Sequence, residues 1–169
     1  MEQNTVSHLI ARMISYEAGQ PARIQHLLKV YAFAKAIGEL EGLDARTQAV
    51  LEVAAVVHDI GIRPSLEKYG SSAGPYQEKE GPAPAAQMLA SLGFQEDLIR
   101  RVCFLVGRHH TVAGVDGADY QILLEADFLV NGFEGNLSRE QIRAGEEKIF
   151  RTQTGRRFLR EMFAGEQPA

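Results

Sequence analysis

The chain has 169 residues, of which 45% are hydrophobic and 24% charged, and its formal net charge is −4. A single domain of this size buries roughly two-thirds of its extended surface, and this composition excludes extensive disorder. The missing basic excess argues against a duplex nucleic-acid binder, while a small anionic substrate needs only local positive charge.

Period-3.6 patterns dominate from the start and no alternating strand appears, so the expected fold class is all-α, a single-domain helical bundle. Met1 to Thr5 lack a basic start followed by an apolar core, so no signal peptide is expected. Thr5 caps a first helix that runs to about Glu17 and ends at Gly19. Pro21 opens a second, to about Glu41, closed by Gly42. Asp44 caps a third, from Ala45 to about His58, with Gly61 just beyond. The strongest apolar run, Val53 to Val57, lies in this third helix and is too short to span a bilayer. The expectation is therefore a cytoplasmic protein with no membrane partner.

Ile62 to Lys79 reads as an interruption, because it holds Pro64, Gly70, Ser71, Ser72, Gly74 and Pro75; one short helical turn is expected at Ser65 to Tyr69. A connection this long suits a lid, with Tyr69 and Tyr76 available to stack on a base. Helices resume at Glu80 to Leu92, with Pro82 and Pro84 tolerated in the first turn, and at Gln95 to Arg108. Cys103 sits in the apolar stretch Val102 to Val106; it has no cysteine partner and reads as a small buried hydrophobe. A loop over Thr111 to Asp119 precedes a helix from about Tyr120 to Asn131. Ser138 and Gln141 form a capping box for a helix to about Arg151. A last short helix covers Gly155 to Phe163, and the tail Gly165 to Ala169 should fray. Arg151, Arg156, Arg157 and Arg160 make a basic cluster that suits a solvated face, an anionic ligand or a homodimer contact.

Three helices carry polar groups in apolar places. The third is almost wholly apolar, hence buried, and ends in His58-Asp59-Ile60-Gly61, where the helix dipole favours a cation and an unpartnered carboxylate is costly. In the second, His26 extends a ridge of Val30, Phe33, Ile37 and Leu40. In the helix after the second loop, Asp127 shares a face with Tyr120, Leu123, Leu124 and Val130, whereas Glu125 takes a solvent position. Each group has a structural explanation: a satisfied core histidine, a capped carboxylate, or an arginine partner for Asp127. Together, two imidazoles and two carboxylates suit one divalent transition metal among Mn, Fe, Co, Ni and Zn.

The set His26, His58-Asp59 and Asp127 resembles the HD superfamily of metal-dependent phosphohydrolases, with separations of 32 and 68 residues. The most specific part is His58-Asp59-Ile60-Gly61, and Gly81 to Leu89 is similar to the family's glycine-led helix. The resemblance covers Ile24 to Asn131, an HD-like core at about 20–132 within one domain of residues 1–169, followed by a helical extension at 138–163. It implies that His26, His58, Asp59 and Asp127 hold the metal. It also implies that water activated by the ion attacks a phosphate ester, often that of a nucleotide. Asp59 then counts as catalytic as well as a ligand, and Glu80 is the candidate general acid or base if a dry pocket raises its pKa.

Two-metal relatives such as the HD-GYP phosphodiesterases carry a histidine pair comparable to His109-His110 and a histidine four residues before the leading glycine; here that place holds Gln77. His109, His110 and Gln77 are thus assigned to substrate contact or to a second metal, with Glu78 and Glu80 as the neighbouring carboxylates. Lys29 resembles the basic residue found three positions after the first histidine, and Arg63 and Arg108 flank the two histidine motifs as candidate phosphate contacts. Two other readings stay open. One is a non-catalytic nucleotide-binding sensor; the other is a di-iron oxygenase of the kind a few HD-related proteins form.

Overall fold

The computed structural model describes residues 4–165, and among them it is all-helical, with ten helices and no strand. They are α1 (Val6–Tyr16), α2 (Pro21–Leu40), α3 (Ala45–Val57), α4 (Ile62–Tyr69) and α5 (Gly74–Glu80), followed by α6 (Pro82–Ser91), α7 (Glu96–Val106), α8 (Ala118–Glu134), α9 (Arg139–Ile149) and α10 (Gln153–Met162). No helix among the described residues is long and apolar enough to cross a membrane. Residues 166–169 of the expected fraying tail, and Met1 to Gln3 of the N-terminal reading, lie outside the described residues.

Local chemistry sets most helix starts. Thr5 accepts from the His8 N–H, Asp44 from those of Arg46 and Thr47, and Ser138 exchanges bonds with Gln141 in a complete capping box. Pro21 opens α2, where its missing N–H costs nothing.

The expected loop from Ile62 to Lys79 is instead two helices, α4 and α5. Its prolines and glycines are end signals rather than breakers. Pro64 falls in the first turn of α4, Gly70 closes that helix at φ 64° in the left-handed region, and Pro75 falls in the first turn of α5. The helix that follows the second loop is also longer than expected at both ends.

The core forms where α2 packs on α3 and α8, with α7 against α3. Leu27, Val30, Ala34 and Ile37 of α2 meet Val53 to Val57 of α3 and Leu123, Ala126 and Val130 of α8. Each fully buried aliphatic side chain contributes about 1.5–3 kcal/mol. The α2 ridge departs from expectation: Ala34 replaces Phe33 on the buried line, and Leu40 is 59% exposed. Because α3 is covered from Val50 to Val57, the two residues that follow it emerge at the centre of the molecule.

The glycines of the His-Asp-Ile-Gly turn and of the helix-leading position serve one close approach. A Cβ on Gly61 would lie 2.9 Å from the Gly81 backbone, and one on Gly81 would lie 2.8 Å from the Gln77 carbonyl. Gly61→Ala should therefore push the turn that carries His58 and Asp59 away from the α5–α6 junction. A loss of about 1–3 kcal/mol in denaturant unfolding is the expected result. Wild-type stability in the variant would show that the approach can relax.

Candidate metal centre

His26 projects from α2, His58 and Asp59 from the end of α3, Asp127 from α8, and His109 from the turn after α7. All five are buried. His26 Nε2 lies 3.2 Å from Asp59 Oδ2, 3.1 Å from Asp127 Oδ1 and 3.3 Å from His58 Nε2. His58 Nε2 is 3.6 Å from Asp59 Oδ2 and 3.4 Å from Asp127 Oδ1. On the other side of the same carboxylate, His109 Nε2 sits 3.1 Å from Asp59 Oδ1. Asp59 thus joins two groups of donors: His26 and His58 on one side, His109 and His110 on the other.

The tautomers follow from the second nitrogen of each ring. The Nδ1–H groups of His58 and His109 donate to the carbonyls of Ala55 and Val106, both at 2.8 Å. His26 Nδ1 faces the Glu134 carboxylate at 3.1 Å, which also accepts. In the neutral rings all three Nε2 atoms are left as bare acceptors aimed at carboxylates. Asp127 Oδ1 is buried with no aligned hydrogen bond although two imidazole nitrogens stand near it. A buried cluster made only of acceptors needs a cation, and imidazole with carboxylate is the donor set of a borderline divalent metal. The residues therefore fit such an ion.

Without an ion, protons take its place. Burial opposes charge on His26, but close contact with Asp127 and Asp59 and their charges push its imidazole up to about 10. His58 is also raised: burial opposes it, and the Asp59 charge and Asp127 overcome that. Burial would raise both carboxyls. Instead the His58 charge and contacts with His109 and His26 hold Asp59 well below its usual range, and His26 and His58 lower Asp127.

Several candidates lie elsewhere. Glu80 does not meet the condition set for an acid or base. It accepts from Lys68 Nζ at 2.8 Å and Tyr69 Oη–H at 2.7 Å, and those bonds lower its carboxyl. Glu78 accepts from the His110 N–H and the Thr111 hydroxyl, stitching α5 to the turn after α7. Tyr69 and Tyr76 stack on each other at 4.3 Å, which covers one face of each ring. Arg108 lies exposed over the Phe104 ring, and Arg63 donates to the Tyr16 carbonyl at 2.7 Å. Gln77 is buried, with its amide N–H donating to the Ser72 carbonyl at 2.7 Å and Oε1 3.1 Å from His110 Nε2. Burial, then the neighbouring His109 charge, push the His110 imidazole down. Arg151, Arg156 and Arg160 are engaged by the carbonyls that end α9 and by Glu146. Cys103 is half-buried with its thiol on the Pro82 carbonyl, and burial pushes that thiol up.

Two carboxylates overturn or extend the sequence reading. Glu125, expected in solvent, is fully buried and accepts from the Thr152 N–H at 2.9 Å and the Thr152 hydroxyl at 2.7 Å, tying α8 to the start of α10. Glu134, which the expected end of α8 at Asn131 left out, is two turns beyond Asp127 on the same face. One oxygen meets His26 Nδ1 and the other meets Lys29 Nζ at 2.7 Å. The seven-residue spacing from Asp127 was the available signal. Lys29 is thus a partner of the carboxylate that orients His26. Glu134→Ala should weaken metal binding by about 10–100-fold with helix content retained, read by competition with a chromogenic chelator. Unchanged affinity would show that His26 is oriented without Glu134.

The HD domain family model matches residues 23–142. Among solved structures, this chain is similar to a predicted HD superfamily hydrolase from an uncultured Thermotogales bacterium. The TM-score is 0.64 and the identity 22%, over 94% of this chain and 83% of that one. No sequence among the curated proteins matches it. Since the family match spans most of its length, the chain belongs to the HD domain family.

Proposed function

We propose that the chain is a metal-dependent phosphohydrolase acting on a nucleotide or another small phosphate ester, with His26, His58, Asp59 and Asp127 holding one divalent transition metal. The observation that carries this reading is the buried cluster of acceptors: three Nε2 atoms and two carboxylates converge with Asp127 Oδ1 unbonded. When bound, a divalent ion supplies Lewis acidity, lowering the pKa of water and offsetting charge on a phosphoryl oxygen.

The chain's own residues supply position and proton traffic. Glu134 fixes the His26 ring and the Ala55 and Val106 carbonyls fix His58 and His109, so the donors are preorganised before substrate arrives. Asp59, shared by both groups, keeps His109 and His110 at the same centre. His110, held neutral at neutral pH with its Nε2–H on the Gln77 oxygen, has Nδ1 left to take a proton from water or return one to a leaving oxygen.

A second reading, a nucleotide sensor that does not turn over, is favoured by Gln77. Its amide is anchored at both ends and occupies His110, which limits a second metal site. The test is elemental analysis followed by assays of phosphomonoesters, phosphodiesters and nucleotides with Mn, Co or Ni. Turnover supports the hydrolase. Tight nucleotide binding with none favours the sensor, and two irons per chain favour an oxygenase.

A further inference from the structure

A cleft of about 210 Å³ lies between the end of α1 and the start of α4, lined by Tyr16, Glu17, Arg23, Arg63, Leu66 and Glu67 among others. That is room for several waters or one small ring. Its unusual member is Glu17, which is 1% exposed. Glu17 Oε2 accepts from Arg23 at 2.6 Å, while Oε1 is buried with no partner. An ionised carboxylate only accepts, and a buried acceptor left unpaired has lost its hydration without replacement. A ligand bearing a donor supplies the replacement.

Two of its lining residues stand one helical turn from proposed metal ligands. Arg23 precedes His26 by three residues on α2, hence on the same face, and Arg63 follows Asp59 by one turn. Burial chiefly raises the Glu17 carboxyl, and the Asp59 charge adds to it, so the two carboxylates feel each other. The charge content defines the ligand. Two arginines are balanced by Glu17 and Glu67, and Arg63 already bonds the Tyr16 carbonyl and Glu67. A second phosphate finds no net positive charge there. A neutral ring with N–H or O–H donors finds an acceptor below and the Leu66 side chain, 43% exposed, beside it. Glu17 precedes the stretch matched by the family model.

We propose that this cleft is the subsite for the uncharged, N–H- or O–H-bearing part of the phosphate ester, with Glu17 Oε1 as the acceptor that selects it. The proposal rests on the phosphohydrolase reading for the position of the phosphate, and its test separates the two. Metal-loaded full-length chain is compared for adenosine 5′-monophosphate, which brings amine and hydroxyl donors, and phenyl phosphate, which brings none. Both kcat/KM and calorimetric Kd are measured. Wild type should prefer the nucleotide, and Glu17→Gln should reduce that preference at least tenfold in either quantity, because its amide can present a donor where the carboxylate only accepts. Leu66→Trp, which fills the cleft from its exposed wall and leaves the Glu17–Arg23 pair alone, should reduce the same preference. If Glu17 only braces α1 against α2, Glu17→Gln lowers the melting temperature and leaves the preference unchanged, which overturns the subsite. No preference in wild type overturns it too. Absence of all turnover removes the hydrolase reading, while the ratio of Kd values still decides the subsite.

Discussion

Asp59→Ala should emerge from purification without its metal and without hydrolytic activity. Among the described residues no other side chain is shared by both donor groups: Oδ2 faces His26 and His58, and Oδ1 faces His109. Residues that merely orient a ligand cost about 10–100-fold in affinity when removed. Loss of a shared carboxylate should exceed that range and reduce bound metal to less than about a tenth of wild type after dialysis. Elemental analysis reads the metal, and far-UV circular dichroism shows that the helices persist. Glu80→Gln is the contrast. That residue bonds Lys68 and Tyr69 rather than the centre, so its metal content should match wild type. An Asp59→Ala protein that keeps its ion would remove the basis for the centre.

The second large effect is in pH. His26 is raised from 6.5 to about 10 in the folded, metal-free chain. A raised pKa means that folding favours the protonated ring. Its contribution to stability is fully present below about 6.5 and is lost as pH climbs through about 10. Asp59 and Asp127 are lowered from 3.8, so folding favours their charged forms, and their contribution is present above that value and fades as pH falls below it. The chelator-treated protein should therefore be most stable between about pH 4 and 6.5 and should melt at progressively lower temperature from pH 7 to 10. Metal binding needs the bare Nε2, so at pH 7 it must expel the His26 proton. Calorimetry in buffers of different ionisation enthalpy should register release of at least one proton per ion, since the His26 and His58 imidazoles are both raised and both must be bare to bind, with affinity rising toward pH 10. A metal-free protein that grows more stable above pH 7, or ion uptake without proton release, would contradict this electrostatic account.

Much of the fold was legible because it depends on neighbours in sequence. Thr5, Asp44 and the Ser138–Gln141 pair cap the helices they were expected to cap, since a cap is a bond across two or three residues. The unbroken apolar run of α3 similarly announced a central helix. Pro64, Gly70 and Pro75 misled because each residue marks a helix end as readily as a loop, and only packing of α4 on α5 shows which.

By itself the sequence determined the all-helical class, most helix starts, and the four residues that stand out as charged or imidazole groups on apolar faces. Those are properties of spacing and composition. The tertiary structure alone decided that Asp59 is shared between two donor groups, that Glu134 orients His26, and that Glu125 is buried against α10. It alone decided that Glu17 is left with an unbonded oxygen in the cleft between α1 and α4. Each of these depends on which partner stands across a helix interface, often from a distant part of the chain. A carboxylate reads the same in sequence whether water, an arginine or an imidazole faces it.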